Sequence, residues 1–494
     1  MTDPAPDQPT DQSLTDHAVK SFAWSALAFG GSKLVVFIST VVLARILTPN
    51  AFGIVAAATA LIVFFDVVLD LGVGAALIYE QERGVTHRAH TAFTLNLIIS
   101  SCLTLFGVLI TPYVASFFGL QNHEDVFRAM FLYLFVRGLG QVQDSMLQRD
   151  LRFARRASVE IAQGVARAAV SIGLALAGFG VWALVGGLLA GEALGTALSW
   201  WAVGSWPRLS LDRQIARALM GFGLTFISLK VVDAIAIDSD YLVVGHGLGA
   251  TQLGYYSMAY RLPELALTSL YWMVGAVSFP IYAQARARGY GAPMLASLRA
   301  LRLITLFSFP AGVLLALVSR EVVYVMFSSK WSPAIWPMVL ISLMTAVTSI
   351  GYASGDLFPA LGRPGTLLVL NAPLTLALVI GFVIVVPYGI VAIAIAHLAM
   401  ALVAMAARLM LVSKLFDMKL VDQLRAMWPG VCAVIGVLLL AGPLRLLMPH
   451  GPITLIALLL AGALGAAGGL LAGSRGTFDE LHTLATSLRP AASP

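Results

Sequence analysis

Fourteen long apolar stretches fill the chain almost end to end, near residues 22–45, 52–79, 92–117, 125–144, 157–178, 181–204, 219–245, 254–283, 299–319, 336–359, 366–386, 388–412, 427–447 and 453–473. Each reaches the roughly 20 residues that an α-helix needs to cross ~30 Å of hydrocarbon. No interval between them is large enough for a soluble domain. The expected fold is therefore an all-α polytopic membrane protein with about fourteen transmembrane helices. Function is confined to the bilayer and its two faces, which excludes most enzymology.

Only 11% of the 494 residues are charged, and where the cations fall matters more than the net charge of +6. With the loops alternated from a cytoplasmic N-terminus, 20 of the 31 Lys and Arg residues lie on the cytoplasmic side. Five flank the outer side (Arg45, Arg128, Arg320, Lys330 and Arg445) and six lie within spans (Lys33, Arg137, Arg167, Lys230, Arg261 and Arg408). Such an asymmetry predicts that both termini face the cytoplasm. The basic excess is topological, so no nucleic-acid partner is expected.

Residues 1–20, rich in Pro, Asp, Gln and Thr, are expected to be disordered. The first apolar run is too long for a cleaved signal peptide. Cys102 and Cys432 both fall within spans and read as small core residues rather than a disulfide or metal pair. No Gly-rich phosphate loop, HExxH or nucleophile elbow occurs, so neither catalysis nor a cofactor is expected. Trp24, Trp182, Trp206, Trp331 and Trp428 stand at expected headgroup levels as interface anchors. Pro280, Pro310, Pro359 and Pro373 are candidates for helix kinks.

A weak internal repeat organises the spans. The turn from Leu47 to Gly53 (LTPNAFG) aligns with that from Leu248 to Gly254 (LGATQLG) at an offset of about 200 residues. Both turns fall on the outer side, which matches two parallel six-helix halves of the kind found in two-lobed transporters. The predicted layout is an N-lobe at 21–204, a C-lobe at 205–412, two further helices in 413–473 and a cytoplasmic tail at 474–494.

Lys33 to Gly74, Leu147 to Phe153 (LQRDLRF), Asp240 to Gly245 with Leu253 to Leu262, and Ala360 to Pro364 (ALGRP) carry a family resemblance. Over about residues 18–415 the chain resembles bacterial O-antigen and exopolysaccharide flippases of the multidrug/oligosaccharidyl-lipid/polysaccharide exporter superfamily. It is most similar to the colanic acid or succinoglycan type. The resemblance implies transfer of a polyprenyl-pyrophosphate-linked oligosaccharide between leaflets, with a polysaccharide polymerase and a chain-length regulator as partners. It leaves the glycan and the driving ion open, and a monomer is expected.

Charges in mid-membrane are costly and face cavities or partners. Lys33 stands about 12 residues, or ~18 Å, into span one. Lys230 holds a comparable depth in span seven, and Arg261 lies one turn or two inside span eight. These three are the candidate contacts for a pyrophosphate, since Arg offers a planar fork and Lys a compact charge. The alternative is neutralisation along the same helix, Lys230 by Asp233 and Arg261 by Glu264, each at i+3. Asp66, Asp233, Asp238, Asp240 and Glu264 are candidates for ion coupling or for charge pairing with the lysines and Arg261; Asp70 is expected to be solvated. A multidrug or cation antiporter of the same superfamily is the second reading, set apart by its usual twelve spans and acidic, aromatic cavity; a peptidoglycan-precursor flippase would share the fourteen spans and the cationic cavity residues. A membrane-embedded polymerase would need an outer loop rich in Arg, His and carboxylates, and residues 320–335 are too apolar for that.

Overall fold

A computed structural model describes residues 31, 33–70, 85–150, 152–206, 208–268 and 291–474, together with Tyr271, Ser278, Ile281, Tyr282, Ala285 and Arg286. The N-terminus expected to be disordered, most of the tail expected to be cytoplasmic, Trp24 and Pro280 lie outside these residues. Among them every regular element is helical. The chain divides into two compact units, 1–234 and 235–494.

The first unit holds α1 (33–46), α2 (Pro49–Leu69), α3 (Val85–Phe117), α4 (Glu124–Arg149), α5 (Phe153–Leu176) and α6 (Val181–Val203). A long helical run, Arg213–Pro263, breaks at Gly249 into α7 (213–248) and α8 (250–263). The second unit continues with α9 (Gly291–Val322), α10 (Ile335–Gly355), α11 (Pro364–Val385), α12 (Ile390–Phe416), α13 (Leu420–Leu447) and α14 (Pro452–Gly473).

The two turns paired by the sequence repeat are made by different chemistry. At the first, Thr48 caps α2, its hydroxyl accepting the Ala51 N–H at 3.3 Å, with Pro49 at the first helical position. At the second, Gly249 adopts φ 81°, open to glycine without steric cost. Gly389, at φ 93°, makes the same kind of break between α11 and α12.

Among the described residues, ten helices are long and apolar enough to cross a membrane: α2, α3, α5, α6 and α9 through α14. The outer faces show the environment they suit. Val369, Ile384, Leu440, Leu460 and Leu464 are all more than half exposed, a pattern that only hydrocarbon tolerates at this density. The charged helices α4 and α7 are not among the ten, because they carry the polar residues considered below.

Close helix pairs are made by glycine. On α13 and α14, a side chain at Gly436 or Gly465 would meet the other's backbone carbonyl, and one at Gly469 would meet that of Cys432. On α6, a methyl at Gly191 would come within 2.9 Å of Arg167 Cβ on α5.

Two expectations change. Cys102 is exposed, because it shares the outward face of α3 with Leu105, Phe106 and Leu109; Cys432 is buried, as expected. Trp331 is fully buried under the Tyr255 ring, whereas Trp182, Trp206 and Trp428 are exposed as interface anchors would be. The apolar 320–335 segment folds back as helical turns with Phe327 inside, so its hydrophobicity serves packing. Pro310 and Pro373 do sit inside helices.

Candidate functional site

In the first unit, the membrane charges form a ladder of cross-helix pairs. Asp66 and Asp70 stand one turn apart on α2, which presents them on one face. Opposite them, Arg137 and Gln141 stand one turn apart on α4. Arg137 Nε lies 2.6 Å from Asp66 Oδ1, a close ion pair in which the N–H is not aimed along the contact. The same guanidinium donates to the Tyr133 hydroxyl at 3.1 Å. One turn on, Gln141 donates to Asp70 at 3.0 Å and accepts from Asn96 at 3.4 Å. The Lys230 ammonium, from α7, binds the other Asp70 oxygen.

Lys230 thus has an acid partner across helices, Asp70, beyond the i+3 neighbour Asp233 on its own helix, and Asp233 is exposed. Asp70 is half-buried and paired. Arg137, which has no acid at i±3 or i±4 on its own helix, is the cation that holds Asp66.

The ladder continues on α5 and α6. Gln163 donates to Glu192 at 2.7 Å, and Arg137 and Arg167 lie within electrostatic reach of that carboxylate. Arg156 bridges Asp144 at 2.7 Å and Glu160 at 3.3 Å. Lys33, exposed on α1, lies within electrostatic reach of Glu160. No acid stands near Lys33 in sequence; packing supplies one from 127 positions away. The five cations Lys33, Arg137, Arg156, Arg167 and Lys230 thus face five carboxylates: Asp66, Asp70, Asp144, Glu160 and Glu192.

In the second unit the balance is reversed. Asp238, Asp240 and Glu264 lie within electrostatic reach of one another, and Arg261 is the cation among them. Arg261 Nε is buried without a hydrogen-bond partner among the described residues. Asp240 is fully buried, and the groups that hold it, Tyr256, Tyr260 and His397, escaped the sequence reading. Deeper in this unit, Arg408 on α12 donates to Gly351 O of α10 at 2.8 Å and Asn371 of α11 at 3.0 Å. That makes it a brace between three helices. Among the described residues no cluster of His, Cys, Asp and Glu could hold a metal.

If Lys230 and Asp70 act only as a pair, removing both should be milder than removing one, since a lone buried charge is the costly state. Lys230→Ala with Asp70→Ala is expected to restore the membrane level of the protein relative to either single change. Single variants that are both present at wild-type level would show that the pair contributes nothing to folding.

Comparison with known proteins follows from this architecture. Residues 42–336 match the family described as "Polysaccharide biosynthesis protein". The succinoglycan biosynthesis transport protein ExoT of Rhizobium meliloti (strain 1021) is 28% identical over 324 residues, 65% of this chain and 64% of that protein. The chain therefore spans just under two thirds of that relative's length. The lipopolysaccharide biosynthesis protein WzxC of Escherichia coli (strain K12) is 22% identical over 365 residues, 71% of each chain. Among solved structures, the lipid II flippase MurJ in an inward closed conformation superposes with a TM-score of 0.76 at 14% identity, covering 92% of this chain and 99% of that one. An inward-facing multidrug transporter of the MATE family superposes at 0.62 with 17% identity, covering 80% and 96%. At such identities the likeness is one of fold.

Proposed function

The chain belongs to the polysaccharide biosynthesis protein family, and from that premise we propose that it moves a lipid-linked oligosaccharide across a bacterial inner membrane. The substrate is a polyprenyl-pyrophosphate carrying a glycan repeat unit, and the direction is from the cytoplasmic to the periplasmic leaflet. The observation that carries this reading is the family match together with relatives named for succinoglycan transport and lipopolysaccharide biosynthesis. The fold shared with a lipid II flippase and a multidrug transporter supports a transporter over a polymerase. In this reading the chain crosses the membrane fourteen times as two six-helix lobes and two further helices, with both termini in the cytoplasm.

The chemistry asks for fixed cations. A pyrophosphate bearing about two negative charges cannot enter a low-dielectric path without counter-charge. Lys33, Lys230 and Arg261 supply it during alternating access, while the polyprenyl tail stays in lipid. Arg261 contributes a fork with donors to spare, since its buried Nε has no protein partner among the described residues. Lys230 reaches a phosphate only by leaving Asp70, which makes it a contact that exchanges one anion for another. A polysaccharide polymerase and a chain-length regulator are the partners that would act on the product.

A deletion strain tests this directly. Lipid-linked repeat units are expected to accumulate in the cytoplasmic leaflet, inaccessible to an impermeant glycan label in spheroplasts. Units that reach the outer leaflet normally but fail to polymerise would assign the chain to polymerisation instead.

A further inference from the structure

A pocket of ≈ 490 Å³ opens between the start of α5 and the end of α6. Arg155, Ser158 and Val159 of the first helix and Leu198, Trp201 and Ala202 of the second line it. The volume is that of small-molecule sites, about 300–1,000 Å³. Its floor is apolar, since Val159 and Ala202 belong to a buried cluster with Leu147. One wall is the indole of Trp201, which is exposed. At the rim stands Arg155, also exposed, whose Nη1 donates to Ala202 O at 3.0 Å. That carbonyl is among those an α-helix leaves without a partner at its C-terminus, so the bond holds the guanidinium at the pocket.

We propose that this pocket binds the phosphate of an anionic phospholipid from the surrounding leaflet, with the top of its acyl chains against Val159, Leu198 and Trp201. Three observations carry this. First, Arg155 has charge to spare. Of its basic neighbours, Arg152 lies 3.7 Å from Asp150, and Arg156 bridges Asp144 and Glu160. Arg155 makes no ion pair among the described residues, and the bond to Ala202 uses one arm of its fork. Second, the polar and apolar walls come in the order in which a lipid presents itself. Arg155 stands in the first turn of α5, and Leu198 lies about five residues inside the end of α6, ~8 Å along the axis. That is the distance from the headgroup layer to the edge of the hydrocarbon. Third, Trp201 and Trp206, 81% and 74% exposed, mark this level as a membrane interface, where indoles are enriched.

The chemistry selects the occupant. A phosphodiester carries a single negative charge on two free oxygens, which one planar guanidinium meets as a fork. A pyrophosphate carries more charge than one guanidinium balances, so the transported lipid is the poorer fit. A zwitterionic phospholipid brings an ammonium as well, and the residues lining the pocket include no acid to receive it. Basic pockets between membrane helices are a known way of holding anionic headgroups. In the topology proposed above these helix ends lie at the cytoplasmic face, so the lipid is one of the inner leaflet. The site itself depends neither on that orientation nor on what the protein transports.

Full-length protein in detergent is titrated with phosphatidylglycerol or phosphatidylcholine, and bound lipid is counted by native mass spectrometry. Phosphatidylglycerol is expected to bind about fivefold more tightly, the worth of one arginine at an anionic lipid surface. Arg155→Gln should abolish that preference, and Arg155→Lys should keep part of it. Trp201→Ala, which leaves the bond from Arg155 to Ala202 in place, should lower the affinity for phosphatidylglycerol. Arg208→Gln, at an exposed position outside the pocket, should bind like the wild type. Should Arg155→Gln fail to fold, Arg155→Lys and Trp201→Ala decide the matter. No preference in the wild type, a preference that survives Arg155→Gln, one lost equally in Arg208→Gln, or unchanged affinity in Trp201→Ala overturns the site. Polyprenyl pyrophosphate at equal concentration is expected to leave the bound phosphatidylglycerol in place. Its displacement would assign the pocket to the transported lipid and overturn the proposal, with the flippase reading untouched.

Discussion

Lys33→Ala and Arg261→Ala are each expected to lower glycan export by about 100-fold while leaving the protein folded and inserted. A charge-assisted hydrogen bond to an anion contributes up to ~3 kcal/mol, and in a site closed to water none of it is recovered from solvent. Lys33 is exposed on α1, so its removal leaves no buried cavity. Lys33→Arg should keep part of the activity, because a point charge is what that position supplies. Arg261→Lys should lose more, since the planar fork is lost. Export is read as surface glycan in a deletion background, normalised to membrane protein level. Full export in both alanine variants would remove the cations from the substrate path.

A second large effect is expected on stability. The Glu321 side chain, at the end of α9, is 0% exposed and is met by Arg445 at the end of α13 and by His450, each at 3.1 Å. Its other oxygen has no protein partner among the described residues. Replacing Arg445 by leucine leaves a buried carboxylate with only an imidazole beside it, a change that costs about 3–5 kcal/mol when a buried pair is broken. The thermal unfolding midpoint in detergent should fall sharply. The double variant Glu321→Leu with Arg445→Leu should recover most of the loss, because an apolar pair of similar volume needs no charge compensation. An unchanged midpoint in Arg445→Leu would show that the contact contributes little.

The positions of the helices were legible because hydrophobicity and length are properties of a single segment. The conspicuous charges were legible for the same reason: an aspartate in Val67–Leu69's neighbourhood or a lysine amid valines stands out locally. Their partners were not. Reading i+3 and i+4 neighbours finds pairs on one helix, whereas Arg137–Asp66, Lys230–Asp70 and Arg445–Glu321 each join two helices. Which helices meet is decided by glycine-lined contacts dispersed over the chain, and 45 glycines offer too many choices. The buried Asp240 network left a fainter trace. Tyr256 and Tyr260 stand at i and i+4, and His397 is a single polar residue inside the apolar run of α12. A lone histidine in a membrane helix invites the question of its partner, but the answer lay more than 130 residues away.

The tie between Glu321 and Arg445 also sets a timetable for synthesis. Arg445 emerges from the ribosome 124 residues after Glu321. At ~5–20 residues per second that is a wait of roughly 6–25 s, during which α9 carries an acid whose counter-charge does not yet exist. The glycine-lined contacts of α13 with α14 make those two helices a hairpin whose backbones touch, with only residues 448–451 between them. The hairpin brings Arg445 to Glu321 when it docks on α9, so one late event both completes the packing and neutralises the acid. A nascent chain interrupted between the two residues would keep its bare carboxylate for good, and the quality-control proteases of the membrane would meet it in that state.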